Sequence, residues 1–279
     1  MAFTHVLGDE VSIYAAAVDG SLLWYRDELH DGTNGPHAER GWAANSGNHI
    51  GEGWTNFRHV ISGGNGLIYA VTDSGDLLWY RDDLRDGSNG PHAERGWAAN
   101  SGNHIGEGWT NFRHVISGGN GLIYAVTDSG DLLWYRDDLR DGSNGPHAER
   151  GWAANSGNHI GEGWTNFRHV ISGGNGLIYA VTDSGDLLWY RDDLRDGSNG
   201  PHAERGWAAN SGNHIGQGWT NFAALTAPGD GSGIIYAITD AADLLWYRDD
   251  LRDGTNGPHA ERGWAANSGN HIGQGWSIK

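Results

Sequence analysis

Leu77-Leu78-Trp79-Tyr80-Arg81-Asp82 is the stretch on which the fold turns. Its Leu-Leu-Trp-Tyr-Arg-Asp string recurs with the tryptophan at positions 24, 79, 134, 189 and 246, at spacings of 55, 55, 55 and 57 residues. A fixed period of this length marks a repeat architecture, in which one unit cannot bury its apolar face alone and stacks on its neighbours. Residues 57–111 and 112–166 are identical, and 167–221 differs from them only at Gln217, where they carry Glu. The 15 tryptophans fall three to a copy, as in Trp79, Trp97 and Trp109. Divergence is concentrated in Phe3–Gly20 and Phe222–Ala242, whereas Asn34–Gly51 recurs unchanged in every copy.

Within the copy that begins at Phe57, the residues predict four strands. Phe57–Ile61 is the first, ended by the turn cluster Ser62-Gly63-Gly64-Asn65-Gly66. Leu67–Thr72, rich in β-branched and aromatic residues, is the second, and Asp73-Ser74-Gly75-Asp76 turns it into the third, Leu77–Arg81. A long polar loop, Asp82 to Gly96, precedes a fourth strand read from Trp97 to Ile105. The second strand is apolar on both faces, Leu67, Tyr69 and Val71 on one and Ile68 and Ala70 on the other, so both must be covered. A four-stranded meander covered on both faces by its own kind is a propeller blade. The expectation is therefore an all-β, five-bladed β-propeller of four antiparallel strands per blade. It forms one domain over 1–279, with blades at 1–56, 57–111, 112–166, 167–221 and 222–279. An open solenoid would use shorter coils and distinct caps, which the end copies do not resemble. The ends lie in nearly the same phase, so no borrowed strand is expected to close the ring; packing of the first blade on the last is.

Charge narrows the partners. With 18 Lys+Arg against 35 Asp+Glu, the net charge of −17 disfavours nucleic acid, which is bound by neutralising phosphates. It disfavours an anionic membrane surface for the same reason. No apolar run is long enough to span a bilayer, and Met1–Val6 shows no basic or apolar leader pattern. The absence of cysteine removes disulfides and zinc-thiolate sites. Asp82-x-x-x-Asp86-Gly87-Ser88-Asn89 only faintly resembles a calcium loop, because Leu84 stands where an oxygen ligand is needed. No cofactor is expected.

Strand parity places the long loop at the same end of the blade as the Gly-Gly-Asn-Gly turn. Loops on a rigid scaffold carry function, and this one holds Asp86, Asn89, His92, Glu94 and Arg95 beside Trp97. Planar hydrogen-bonding groups next to an aromatic face suit a neutral polyhydroxyl ligand. The candidate ligand-binding sets are therefore Asn34, His37, Glu39, Arg40 and Trp42; Asn89, His92, Glu94, Arg95 and Trp97; Asn144, His147, Glu149, Arg150 and Trp152; Asn199, His202, Glu204, Arg205 and Trp207; and Asn256, His259, Glu261, Arg262 and Trp264. Trp54 and Trp109, inside Gly-x-Gly-Trp, read as packing between blades. Arg58 and His59 read as structural or dispensable, because the last copy has Ala223 and Ala224 there. The turns Gly8-Asp9-Glu10 and Pro228-Gly229-Asp230-Gly231 depart from Ser-Gly-Gly-Asn, so the sites touching the first and last blades are expected to differ from the interior ones.

Gly53-Trp54-Thr55-Asn56-Phe57, Gly66-Leu67-Ile68-Tyr69-Ala70-Val71, and Trp97-Ala98 through Ile105-Gly106 together resemble the tachylectin family of five-bladed propeller lectins, and all five copies carry the pattern. The resemblance implies a lectin for N-acetylated amino sugars (N-acetylglucosamine or N-acetylgalactosamine). It implies one site per blade between neighbours, no catalysis and no cofactor. The long loop is longer than the family's, and Glu94-Arg95-Gly96 replaces an Asp-Asn pair. Partners are then glycans or glycoproteins bound by a monomer. A five-bladed glycosidase would need asymmetric carboxylates at the axis, which near-identical blades supply poorly. The remaining alternative is a symmetric scaffold for protein interactions without a sugar ligand.

Overall fold

The second strand of each copy settles the architecture, because both of its faces are buried. In the computed structural model, which describes residues 1–37, 40–92, 95–147, 150–202, 205–259 and 262–279, Leu67 to Val71 are all buried. Leu67, Tyr69 and Val71 pack with Val115, Ile123 and Ala125 of the following copy. Ile68 and Ala70 pack with Leu7, Tyr14, Ala16 and Trp24 of the preceding one. Five such interblade cores close a ring. A buried tryptophan such as Trp79 hides roughly 200 Å², worth about 5 kcal/mol at about 25 cal/mol per Å² before ordering costs.

The chain is a five-bladed β-propeller of antiparallel sheets. The second blade runs Phe57–Gly64, Leu67–Thr72, Leu77–Arg81, Asn103–Gly106 from the axis outward. The first strands pack on one another around the axis, enclosing a channel of about 140 Å³ lined by Val60, Ile61, Val115, Ile116 and their counterparts. Helical structure among the described residues is limited to three 3-10 turns, such as Trp109–Asn111.

Two strands differ from expectation. The first reaches Gly64, because a bulge between Ser62 and Gly64 absorbs one glycine without breaking the pairing. The fourth is only Asn103–Gly106: Trp97 makes a single bridge to Asp82, after which Gly102, at φ 91°, lets the chain curl.

Closure is also corrected. Ser277–Ile278 adds a short parallel strand to Ala2–Phe3, and the Lys279 N–H donates to the Phe3 carbonyl at 3.0 Å. Trp276 packs on Phe3 at 5.5 Å between ring centroids, as Trp54 does on Phe57. The divergent turns of the end copies meet at the axis. The Gly8 N–H donates to Thr226 Oγ1 at 2.7 Å, the Glu10 N–H to the Pro228 carbonyl at 2.8 Å, and the Gly231 N–H to the Gly173 carbonyl at 2.8 Å. The Gly229 carbonyl lies so close to Gly174 that a methyl group there would strike it. In the first copy, buried Asp9 accepts from Ser62 Oγ at 2.7 Å and from the Gly66 N–H at 2.8 Å. At the other end of the inner strands, His59 Nε2 bonds the Phe112 carbonyl of the next blade at 3.0 Å, and His114 and His169 repeat the bond, giving this position a structural role.

Candidate functional site

Each long loop is built around one buried carboxylate. Asp82 Oδ1 accepts from the backbone N–H of Leu84 and Arg85 and from Asn89 Nδ2, at 3.0, 2.8 and 3.0 Å. Its Oδ2 accepts from the Tyr14 hydroxyl of the preceding blade at 3.0 Å. The same Tyr-to-Asp bond joins Tyr69 to Asp137, Tyr124 to Asp192, Tyr179 to Asp249 and, across the closure, Tyr236 to Asp27. Burial first, and then the facing carboxylate (for Tyr14, Asp9 ahead of Asp82), push these tyrosines well above their ordinary pKa, so each stays a hydroxyl donor.

Beyond Asp82 the loop docks on the previous blade. Asn45 Nδ2 and Asn48 Nδ2 donate to the Asp86 and Gly87 carbonyls, each at 2.8 Å. Gly87 has φ 72° and faces Trp24 so closely that a side chain would meet its ring. The Ser88 hydroxyl lowers the pKa of exposed Asp86, against an opposing effect of burial, and the Ser88 N–H and the charge of Arg95 add to the lowering. The Gly90 N–H then bonds the Arg95 carbonyl at 3.1 Å and closes the tip, on which His92 and Arg95 are exposed.

The roots of these loops share one face with the Gly-Gly-Asn-Gly turns, since the Asp82 N–H donates to the Gly66 carbonyl at 2.9 Å. The tips leave that face. His92 Nδ1 lies 3.0 Å from the carboxylate of Glu52, which follows the outer strand of the preceding blade at its opposite end. The tip residues thus stand in a cleft on the rim, between the outer strands of adjacent blades, while the loop roots and the Gly-Gly-Asn-Gly turns line separate interblade hollows on the other face.

Trp97 is the floor of that cleft. It is half-buried, and its indole N–H donates to the Ile50 carbonyl of the neighbouring outer strand at 2.9 Å. Trp54 and Tyr80 flank it, at 6.2 and 6.5 Å between centroids. The bond repeats at Trp42 to Ile272, Trp152 to Ile105, Trp207 to Ile160 and Trp264 to Ile215, each at 3.0 Å. This frame is therefore common to all five junctions, including those of the first and last blades. The divergent turns of the end copies sit at the axis, away from this frame.

The predicted residues divide by position. Trp42, Trp97, Trp152, Trp207 and Trp264 are half-buried in the clefts, and Arg40, Arg95, Arg150, Arg205 and Arg262 are exposed beside them. His92, His147 and His202 face Glu52, Glu107 and Glu162, while His37 and His259 stand at the equivalent tips. Asn34, Asn89, Asn144, Asn199 and Asn256 are buried behind the loop on the Asp hub, each with Oδ1 lacking a partner among the described residues. Glu39, Glu94, Glu149, Glu204 and Glu261 lie outside the described residues.

The sequence reading missed the contribution of the preceding blade. Glu52, Glu107, Glu162, Gln217 and Gln274 all stand in Gly-x-Gly-Trp, and the signal was available: Gln217 is the single difference within three otherwise identical copies. Among the described residues no group of three or more His, Asp or Glu side chains is arranged to hold a metal ion. No helix is long and apolar enough to cross a membrane.

Comparison with known proteins places this geometry. No curated protein sequence matches the chain. Among solved structures, it resembles a symmetrical protein of de novo evolutionary emergence, with a TM-score of 0.55 and 24% identity over 94% of this chain and 95% of that one. Prp20p from Saccharomyces cerevisiae follows at a TM-score of 0.42 and 11% identity, over 98% of this chain and 64% of that one. Human WBSCR16 gives 0.39 and 12%, over 92% and 65%. The first of these likenesses is one of fold. The Tachylectin family model matches residues 15–144 and 137–279, nearly the whole sequence. The chain is a member of the Tachylectin family.

Proposed function

We propose that this protein is a multivalent carbohydrate-binding lectin, with one site in each interblade cleft, and that it carries no catalytic activity. The observation that carries this reading is the repeated cleft: a half-buried tryptophan fixed by its N–H, at the base of a loop tip that exposes an arginine and a histidine. A sugar lays its C–H surface on an aromatic ring and offers its hydroxyls to planar polar groups at the edge. N-acetylated amino sugars are the class we assign, because the acetamide adds an apolar methyl and an amide to those contacts. Sites of modest affinity, linked on one rigid ring, gain roughly 10²–10⁴ in avidity on a multivalent surface. A glycosidase would instead need two dedicated carboxylates about 5–9.5 Å apart, a unique pair that near-identical blades supply poorly.

A glycan array followed by calorimetry with N-acetylglucosamine tests the reading, with close to five sites per chain expected. Replacing His92, Arg95 and their equivalents by Ala in all copies should abolish binding with the melting temperature unchanged, since both side chains are exposed. Retained binding would move the site elsewhere. The identity of residues 57–111 and 112–166 favours a second reading, a symmetric scaffold for protein interactions, and silence across the array would support it.

A further inference from the structure

The five clefts share one frame but not one charge. At three junctions the residue reaching the loop tip from the preceding blade is a carboxylate: Glu52 toward His92, Glu107 toward His147 and Glu162 toward His202. At the other two it is an amide. Gln217 precedes Gly218-Trp219, whose ring lies 6.0 Å from Trp264, and Gln274 precedes Gly275-Trp276, 6.4 Å from Trp42. The tryptophan anchors, the Tyr-to-Asp bonds and the tip closures are the same at all five. The sequence of the tip, Gly-Pro-His-Ala-Glu-Arg, is also the same, so between the tip and the residue that reaches it the Glu/Gln exchange is what changes the charge.

The chemical difference is specific. A carboxylate only accepts hydrogen bonds and carries a full charge, whereas a carboxamide both donates and accepts and carries none. Both Glu52 and His92 are more than a third exposed, at 50% and 62% of their side-chain surface, so a ligand seated on Trp97 can reach either.

We infer that this position determines specificity, dividing the clefts into three anionic sites that favour a cationic sugar bearing a free amine and two neutral sites that do not. The inference rests on the lectin reading above and refines it. The preference is modest, because an exposed ion pair changes affinity by about two- to fivefold. It weakens as added salt screens the charge.

The test compares glucosamine, a cation near neutral pH, with N-acetylglucosamine on three proteins: the wild type, the triple variant E52Q/E107Q/E162Q and the double variant Q217E/Q274E. Glu and Gln both occur naturally at this position on the same frame, so the variants keep native-type side chains throughout. Calorimetry gives both dissociation constants, and ¹⁵N-labelled tryptophan indoles report each junction separately. In the wild type, glucosamine should shift three of the five cleft indoles, those of Trp97, Trp152 and Trp207, at lower concentration than those of Trp42 and Trp264. The ratio of glucosamine to N-acetylglucosamine affinity should fall about two- to fivefold in the triple variant and rise at Trp42 and Trp264 in the double variant. Five indoles titrating together with glucosamine, or both sugars shifting by the same factor in the variants, would overturn the inference and leave the lectin reading standing. If neither sugar binds any of the three proteins, the lectin reading fails and takes this inference with it.

Discussion

Replacing Tyr124 by Phe removes a single oxygen from the centre of a junction. The Tyr124 hydroxyl donates to Asp192 Oδ2 at 2.9 Å, and both residues are fully buried. Asp192 Oδ1 keeps its bonds from the N–H groups of Leu194 and Arg195 and from Asn199 Nδ2, at 3.1, 2.7 and 3.0 Å. A hydrogen bond to a charged group is worth about 1.5–3 kcal/mol, and the ring leaves no cavity when the hydroxyl goes, so a loss of about 1.5–2 kcal/mol is expected. Asp192→Ala is worse. It strands the Tyr124 hydroxyl and the Asn199 amide, at about 1–3 kcal/mol each, and frees two backbone donors at the loop root, for a total of about 4–6 kcal/mol. The double variant should lose less than the sum of the singles, with a coupling of about 1.5–2 kcal/mol. Phe at Tyr14, Tyr69, Tyr124, Tyr179 and Tyr236 together should cost about 8–10 kcal/mol, comparable with the whole stability of a typical domain, and leave no folded ring. Urea unfolding followed by tryptophan fluorescence measures the first three quantities, and the absence of a cooperative transition marks the fourth. A Tyr124→Phe protein within 0.5 kcal/mol of wild type, or additive singles, would refute the claim that these bonds hold the blades together.

Three further outcomes are expected. Gly142→Ala, at φ 73° with Trp79 Cε3 only 2.7 Å from the added carbon, should destabilise by about 2–5 kcal/mol from left-handed backbone strain and overpacking, read as a lowered urea midpoint. Burial lowers the pKa of His59 from 6.5 to about 4, with the charges of His5, Arg58 and His114 acting in the same direction against the bond to Phe112, so the folded state takes up fewer protons than the unfolded chain. Stability should therefore be full above pH 6.5 and fall by about 2–3 kcal/mol toward pH 4. Asp9 acts in the opposite sense, because burial raises its pKa from 3.8 to about 6 and its protonation favours the fold between those values. Asp9→Asn should thus steepen the acid loss, which melting curves from pH 7 to pH 4 would show, and a shallower curve would reverse the assignment. Deleting 277–279 removes the parallel pairing to Ala2–Phe3 and should lower the melting temperature by roughly 4–8 °C for about 2 kcal/mol; no change would mean that packing alone closes the ring.

The repeat made the ring legible, because a tryptophan every 55 residues and a doubly apolar second strand leave few alternatives. What the sequence concealed was the cross-junction chemistry. Tyr69 sits in Leu-Ile-Tyr-Ala-Val and reads as core, while its partner Asp137 is 68 residues away in a run that reads as turn. Asn89 reads as a ligand-contacting amide, yet the fold turns it inward onto Asp82, where it shapes the loop. The fourth strand reads as long from Trp97 because aromatic residues favour strands, but the tryptophan is held by the neighbouring blade instead. Arg95 and His92 were found as exposed polar residues near an aromatic. Glu52 was missed because a residue contributed by the previous repeat belongs, in the linear string, to a different unit.

The contacts at the axis between copies one and five have a consequence for the number of blades. Every junction shares the Tyr-to-Asp and Trp-to-Ile bonds, so these bonds do not tell the chain how many copies to enclose. The end copies alone carry turn contacts of their own: Gly8 to Thr226 and Glu10 to Pro228 join copies one and five, while Asp9 to Ser62 and Gly231 to Gly173 tie each end copy to its other neighbour. A chain that gained or lost an interior copy by recombination would keep all its junctions but change the width across which these partners meet. The divergent ends thus fit each other across the width that five blades set, whereas the interior copies fit any neighbour of their own kind.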